Sequence, residues 1–118
     1  MGKKTIRVLH IIRHMNIGGA ETLIMNLYKK IDRNILQFDF LVYGKGFFDS
    51  EIKKLGGKIY YMDYITDVGQ IEYKKQLKYF FENHKEYQII HSHIDQVTGI
   101  ILEVANRCNV RTRIAHSH

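Results

Sequence analysis

The sequence predicts an α/β fold: a parallel sheet ordered 3-2-1-4-5 with helices on both faces. Three observations carry that expectation. Short β-branched apolar runs alternate with stretches of helical period along all 118 residues. The β-α units repeat at a length that suits right-handed crossovers between parallel strands. No proline, internal repeat, linker or low-complexity stretch interrupts the alternation. The result is a Rossmann-like sheet. In such sheets ligands bind beyond the carboxyl ends of the strands, where the strand order reverses, here between strands one and four.

Each element has its own warrant. Thr5 to Ile12 is apolar and β-branched enough for a buried strand. A helix follows from Ala20 to about Asp32, with Leu23, Ile24, Leu27 and Ile31 at helical spacing. Gln37 to Tyr43 is the second strand. Asp49 or Ser50 can then cap a short helix that points Ile52 and Leu55 inward and closes at Gly56-Gly57. Lys58 to Met62 reads as the third strand and Asp63 to Gln70 as a polar, glycine-containing loop. Tyr73, Leu77, Phe80 and Phe81 mark the next helix. Gln88 to Ser92 is the fourth strand. Val97, Ile101, Val104, Ala105 and Cys108 form one stripe of a further helix, and Arg113 to His116 makes the fifth strand.

Composition bounds the function. Hydrophobic residues make up 45% and charged residues 25%, ordinary values for a globular domain. No apolar run reaches the roughly 18 residues of a membrane-spanning helix. Met1-Gly2-Lys3-Lys4 leads straight into the first strand without a secretory signal, so a cytoplasmic location is expected. The single cysteine, Cys108, excludes a disulfide framework and reads as a small buried packing residue. A formal net charge of +6 and a pI near 9.4 favour acidic partners such as phosphorylated ligands or anionic lipid headgroups. The basic residues are scattered, and no groove-entering motif or stacking platform accompanies them, so nucleic acid is not expected.

Three constellations carry chemistry. The first is Met15-Asn16-Ile17-Gly18-Gly19-Ala20-Glu21, between the first strand and the first helix. Two adjacent glycines permit a sharp turn and a close ligand approach. The following helix N-terminus offers unpaired N–H groups to a phosphate or carboxylate. A tight turn without a ligand fits the same residues. Neither Gly-x-Gly-x-x-Gly nor the Walker pattern is present. Glu21 can cap the helix or hold a sugar hydroxyl, and Arg13 and His14 border the turn with positive charge. The second and third constellations are His91-Ser92-His93 and His116-Ser117-His118, at the ends of consecutive strands. Alternation places both histidines of a pair on one face. His91 and His116 are expected within their strands. His93 and His118 fall at the carboxyl ends, where an imidazole can donate to a sugar hydroxyl or phosphate oxygen. His10 reads as a core histidine, and Asp95 either orients a histidine, binds a hydroxyl or caps the next helix. One cysteine and no His-Glu-x-x-His argue against zinc, so no metal is expected.

Taken together, these residues resemble the N-terminal domain of GT-B glycosyltransferases of the retaining family 4. The matching pieces are Arg7 to Ile11, Asn16-Ile17-Gly18-Gly19-Ala20-Glu21, Ile89 to His93 and Ile114 to His118, in this order and spacing. The resemblance implies that residues 1–118 are an incomplete acceptor-side domain and that a C-terminal donor-binding domain is absent. It implies that Gly18 and Gly19 approach the diphosphate of a nucleotide-sugar donor and that His118 lies near the transferred sugar as the catalytic residue. His14, Glu21, His93 and Asp95 would line the acceptor side of the cleft. The resemblance further implies a glycan or lipid-linked acceptor, synthesis of capsule or exopolysaccharide, peripheral contact with the anionic inner membrane face, and neither metal nor cofactor. Alone, residues 1–118 would be inactive. A non-catalytic Rossmann-like module binding a phosphorylated ligand is the alternative, and a metal-binding domain built on the two His-Ser-His pairs is a third reading.

Overall fold

A computed structural model describes residues 4–116. The elements are β1 (Ile6–Ile11), α1 (Gly19–Lys30), β2 (Leu36–Val42), α2 (Asp49–Lys54), β3 (Ile59–Tyr61), α3 (Ile65–Asn83), β4 (Ile89–Ser92), α4 (Thr98–Arg107) and β5 (Thr112–Ala115). The sheet runs β3-β2-β1-β4-β5 with every pairing parallel, the order expected from the alternation. In register, His10 stands between Phe40 of β2 and His91 of β4.

Alternation along the strands divides the core into two layers. Leu9, Ile11, Leu41 and Ile90 face α3 and α4, packing against Tyr73, Leu77, Phe81 and Ile101. Val8, Phe38, Phe40 and Val42 face α1 and α2, where Ile24, Met25, Tyr28 and Ile52 cover them. The stripe of α1 is therefore shifted from the expected one. Leu23 and Leu27 are 65% and 52% exposed, while Met25 and Tyr28 turn inward. Tyr28 wins the core position because its large ring stacks on Phe38 at 5.3 Å.

Other boundaries also moved. Helix α3 begins at Ile65, inside the expected loop, because the Tyr64 carbonyl accepts the N–H groups of Asp67 and Val68. Gly69 then breaks the helix with φ 83° and ψ 166°, so the sequence located the interruption but missed the turn before it. Cys108 ends α4 and is half-buried against the core rather than on the buried stripe, and burial raises its thiol pKa. Asp49 opens α2 but accepts from the Gly46 N–H and the Tyr61 hydroxyl instead of capping the helix.

A buried carboxylate ties one layer together. Asp39 is fully buried on the α3/α4 side of β2. Arg7 Nη1 donates to its two oxygens at 2.9 and 2.7 Å, the Tyr87 hydroxyl at 2.5 Å and the Lys58 N–H at 2.8 Å. Four elements thus meet at one side chain: β1, β2, the entrance to β3 and the approach to β4.

Candidate functional site

Beyond the carboxyl ends of β1 and β4, at the expected switch point, lies a cavity of about 330 Å³. Its lining includes His14, Glu21, His93 and Asp95, the four residues that the sequence assigned to the cleft wall. Backbone pairing holds this wall in place: the His93 N–H donates to Ile11 O at 2.9 Å, continuing the β1–β4 ladder one residue past β4. His93 is 7% exposed, whereas Asp95 stands exposed at the rim. Asp95 does not cap α4, which starts at Thr98. There the threonine hydroxyl donates to Ile94 O at 2.5 Å and bonds Ser92 Oγ at 2.8 Å. His14 keeps a buried Nδ1 without a hydrogen-bond partner among the described residues. Arg13 also borders the cavity, but its guanidinium sits 4.5 Å over the Tyr64 ring.

The glycine turn works through space rather than through an unusual backbone. Gly18 is the N-cap of α1 at φ −166°, extended backbone open to any residue, and Gly19 is the first helical residue. The expectation of a turn that needs glycine's conformational freedom is therefore corrected. The atoms nearest a Cβ on Gly18 are those of the Glu21 carboxylate, at 3.1 Å, and one on Gly19 would meet nothing within 4 Å. Glu21 folds back over Gly18 in the first helical turn, a favourable place for a carboxylate beside the helix dipole. The space above the helix N-terminus is open to a ligand group, on condition that Glu21 moves aside or contacts that ligand.

On the α1 side of the sheet the histidines gather more closely than their sequence positions suggest. His10 Nδ1 and His93 Nε2 are 3.0 Å apart, and His91 Nε2 lies 3.1 Å from His116 Nδ1. The His91 and His93 rings stack at 4.1 Å. His116 is exposed one residue past β5, and its N–H donates to Ser92 O. His10 packs between Phe38 and Phe40. Sequence reasoning placed His10 in the core but missed its link to His93. The signal was available in the register, because His10 and His91 share a face of neighbouring strands. His118 lies outside the described residues.

Burial, reinforced by the charge of His91, pushes the His10 pKa down to about 3. The unfolded chain takes up this proton near pH 6.5, while the folded chain resists until about pH 3. The group has no effect on stability above pH 6.5, and stability falls as pH drops from 6.5 towards 3. In EDTA-containing buffer, the His10 contribution at pH 5 is expected to be a loss of about 2 kcal/mol relative to pH 8. Denaturant melts at the two pH values, compared with those of His10→Phe, measure it.

Two further cavities flank the site. One of about 830 Å³ lies over the ends of β2 and β3, between Tyr43, Tyr61, Tyr79, Asp63 and Glu72. It is larger than the switch-point cavity, and none of His14, Glu21, His93 and Asp95 lines it. It adjoins the site at Gly44, where a Cβ would lie 2.6 Å from the His14 ring. The other, about 430 Å³, is an apolar groove between Leu23 and Leu27 of α1 and Ile114 of β5.

Fold and site together define a doubly wound α/β protein with a cavity at the switch point. The sequence comparisons go further. The chain is 37% identical over 120 aligned residues to a protein of Bacillus subtilis (strain 168) named "Putative glycosyltransferase EpsF". It is 34% identical over 115 residues to the "Capsular polysaccharide biosynthesis glycosyltransferase CapH" of Staphylococcus aureus. These alignments cover 100% and 94% of the chain but only 31% and 30% of the relatives, so the chain spans just under a third of their length. Over that stretch the chain is similar in sequence to both named glycosyltransferases. No family model matches it, and no solved structure matches it significantly. Among the described residues no helix is long and apolar enough to cross a membrane.

Proposed function

We propose that the chain is the N-terminal, acceptor-side part of a retaining glycosyltransferase. The enzyme would move a sugar from a nucleotide-sugar to a glycan or lipid-linked acceptor in surface polysaccharide synthesis. The observation that carries the reading is the switch-point cavity, where His14, Glu21, His93 and Asp95 converge beside the open N-terminus of α1. The names of the relatives support the same reaction class.

In this reading the donor diphosphate approaches over Gly18 and Gly19, and the first-turn N–H groups of α1 face its oxygens. As the bond to the anomeric carbon breaks, charge develops on the departing nucleoside diphosphate. Fixed backbone dipoles stabilise that charge without reorganising. His93 and Asp95 can donate to and accept from sugar hydroxyls on the β4 side, and Glu21 can accept from one on the α1 side. The adjoining groove, with the exposed rings of Tyr61 and Tyr79 beside Asp63 and Glu72, offers stacking faces and polar groups to an acceptor sugar. Transfer uses neither cofactor nor metal. The +6 charge favours work at the anionic inner membrane face.

His118 is assigned to the transferred sugar. For the intact enzyme, His118→Ala is expected to lower kcat roughly a hundredfold, the scale of a positioned proton-transfer or hydrogen-bonding group, with KM for the acceptor little changed. Steady-state kinetics checks this, and wild-type turnover would return His118 to a structural role. The reading itself is tested by assaying nucleoside diphosphate release by the intact enzyme. The isolated 118-residue chain is expected to release none.

A further inference from the structure

Three imidazoles from two neighbouring strands converge on the α1 side of the sheet, and we propose that His10, His91 and His93 bind one divalent transition-metal ion of the zinc class. One nitrogen from each lies within 4.8 Å of the others. Two of these residues already touch, with His10 Nδ1 and His93 Nε2 3.0 Å apart. Around a tetrahedral zinc, nitrogens at about 2.0–2.1 Å from the metal stand roughly 3.3 Å from one another. The His10–His93 edge is close to that length, and the half-buried His91 closes the remaining gap by rotating its ring.

The backbone makes this spacing a property of the fold. His10 and His91 are direct partners in the β1–β4 ladder, and His93 is two residues further along the same face. The His93 N–H to Ile11 O bond extends the ladder to it. His116, 3.1 Å from His91, brings a fourth imidazole to the edge of the patch and can complete the coordination sphere.

The donor set selects the ion. It consists of imidazole nitrogens without a carboxylate oxygen, which suits zinc, nickel or cobalt and not magnesium or calcium. The apolar alternative at this position is evident: a phenylalanine would fill the space between Phe38 and Phe40. His10 instead places a polar ring there, with its Nδ1 aimed at His93 Nε2 across 3.0 Å. The bound ion would tie β1 to β4 beside the sugar cavity, and His93 borders both. This site does not depend on the glycosyltransferase reading, because sugar transfer as proposed uses no metal.

The chain, produced without a histidine tag and stripped with EDTA, is dialysed and titrated at pH 7.5 with zinc sulfate by calorimetry. Cobalt chloride is titrated in parallel and followed by visible absorption. One zinc per chain is expected, with the intense visible bands of four-coordinate cobalt. At a hundredfold excess of zinc over Kd, Tm should rise by about 5 °C or more. His10→Phe should abolish binding. His91→Gln, at a half-buried position, should weaken it at least tenfold and leave the metal-free Tm within about 2 °C of wild type. Should His10→Phe fail to fold, His91→Gln carries the test alone. Absence of stoichiometric binding to the wild-type chain overturns the proposal, as does undiminished binding by the variants.

Discussion

Valine at Gly18 is expected to cut sugar transfer by the intact enzyme at least tenfold while leaving the fold standing. The two effects separate because of the local geometry. Gly18 is at φ −166°, which valine adopts without strain, and the atoms nearest an added Cβ belong to the end of the flexible Glu21 side chain. Replacing an N-cap glycine by an aliphatic residue costs a few tenths of a kcal/mol to about 1 kcal/mol. A branched side chain over the helix N-terminus, in contrast, occupies the space assigned to the diphosphate. A tenfold fall in kcat/KM corresponds to about 1.4 kcal/mol of lost transition-state stabilisation. Michaelis kinetics with a thermal melt of the same preparation tests both halves. An unchanged rate would remove the phosphate role of the turn, and a collapsed melt would assign the glycine to folding.

Asp39→Ala is expected to destabilise the chain by about 3–5 kcal/mol, enough to leave it largely unfolded near its working temperature. The substitution strands the Arg7 guanidinium, the Tyr87 hydroxyl and the Lys58 N–H around an apolar gap. Burial and the bond to Asp39 both push the Tyr87 hydroxyl's pKa up, so it stays a neutral donor that needs this acceptor. Urea denaturation measures the loss. A change below about 1 kcal/mol would show that water replaces the carboxylate and that the network contributes little.

These two residues show what the sequence did and did not make legible. Gly18 stood out because adjacent glycines between a strand and a helix suit both a tight turn and a close ligand approach. Its conformational argument failed, since extended and helical dihedrals suffice there. Asp39 did not stand out: one aspartate in an alternating strand looks solvent-facing until Arg7, Tyr87 and Lys58 are brought around it by three other elements. The strand order followed from β-α alternation and crossover handedness, which are local and topological rules. Helix α1 was harder. Leu23 and Leu27 fit a helical stripe as well as Met25 and Tyr28 do, and only the position of Phe38 beneath the helix decides which side turns inward. The grouping of His14, Glu21, His93 and Asp95 around one cavity was legible because each sits near a strand end or helix start on the same edge of the sheet. The His10–His93 contact required the register between β1 and β4, which single-strand patterning does not contain.

The stereochemistry of sugar transfer tests the proposed function most directly. The intact enzyme would be incubated with UDP-, GDP- and dTDP-sugars and a membrane extract as acceptor source. Nucleoside diphosphate release would be quantified and the new glycosidic linkage identified by NMR. Acceptor-dependent release is expected, with a product that keeps the donor's anomeric configuration. An inverted product, or no transfer from any donor by an enzyme shown to be folded, would contradict the proposed function.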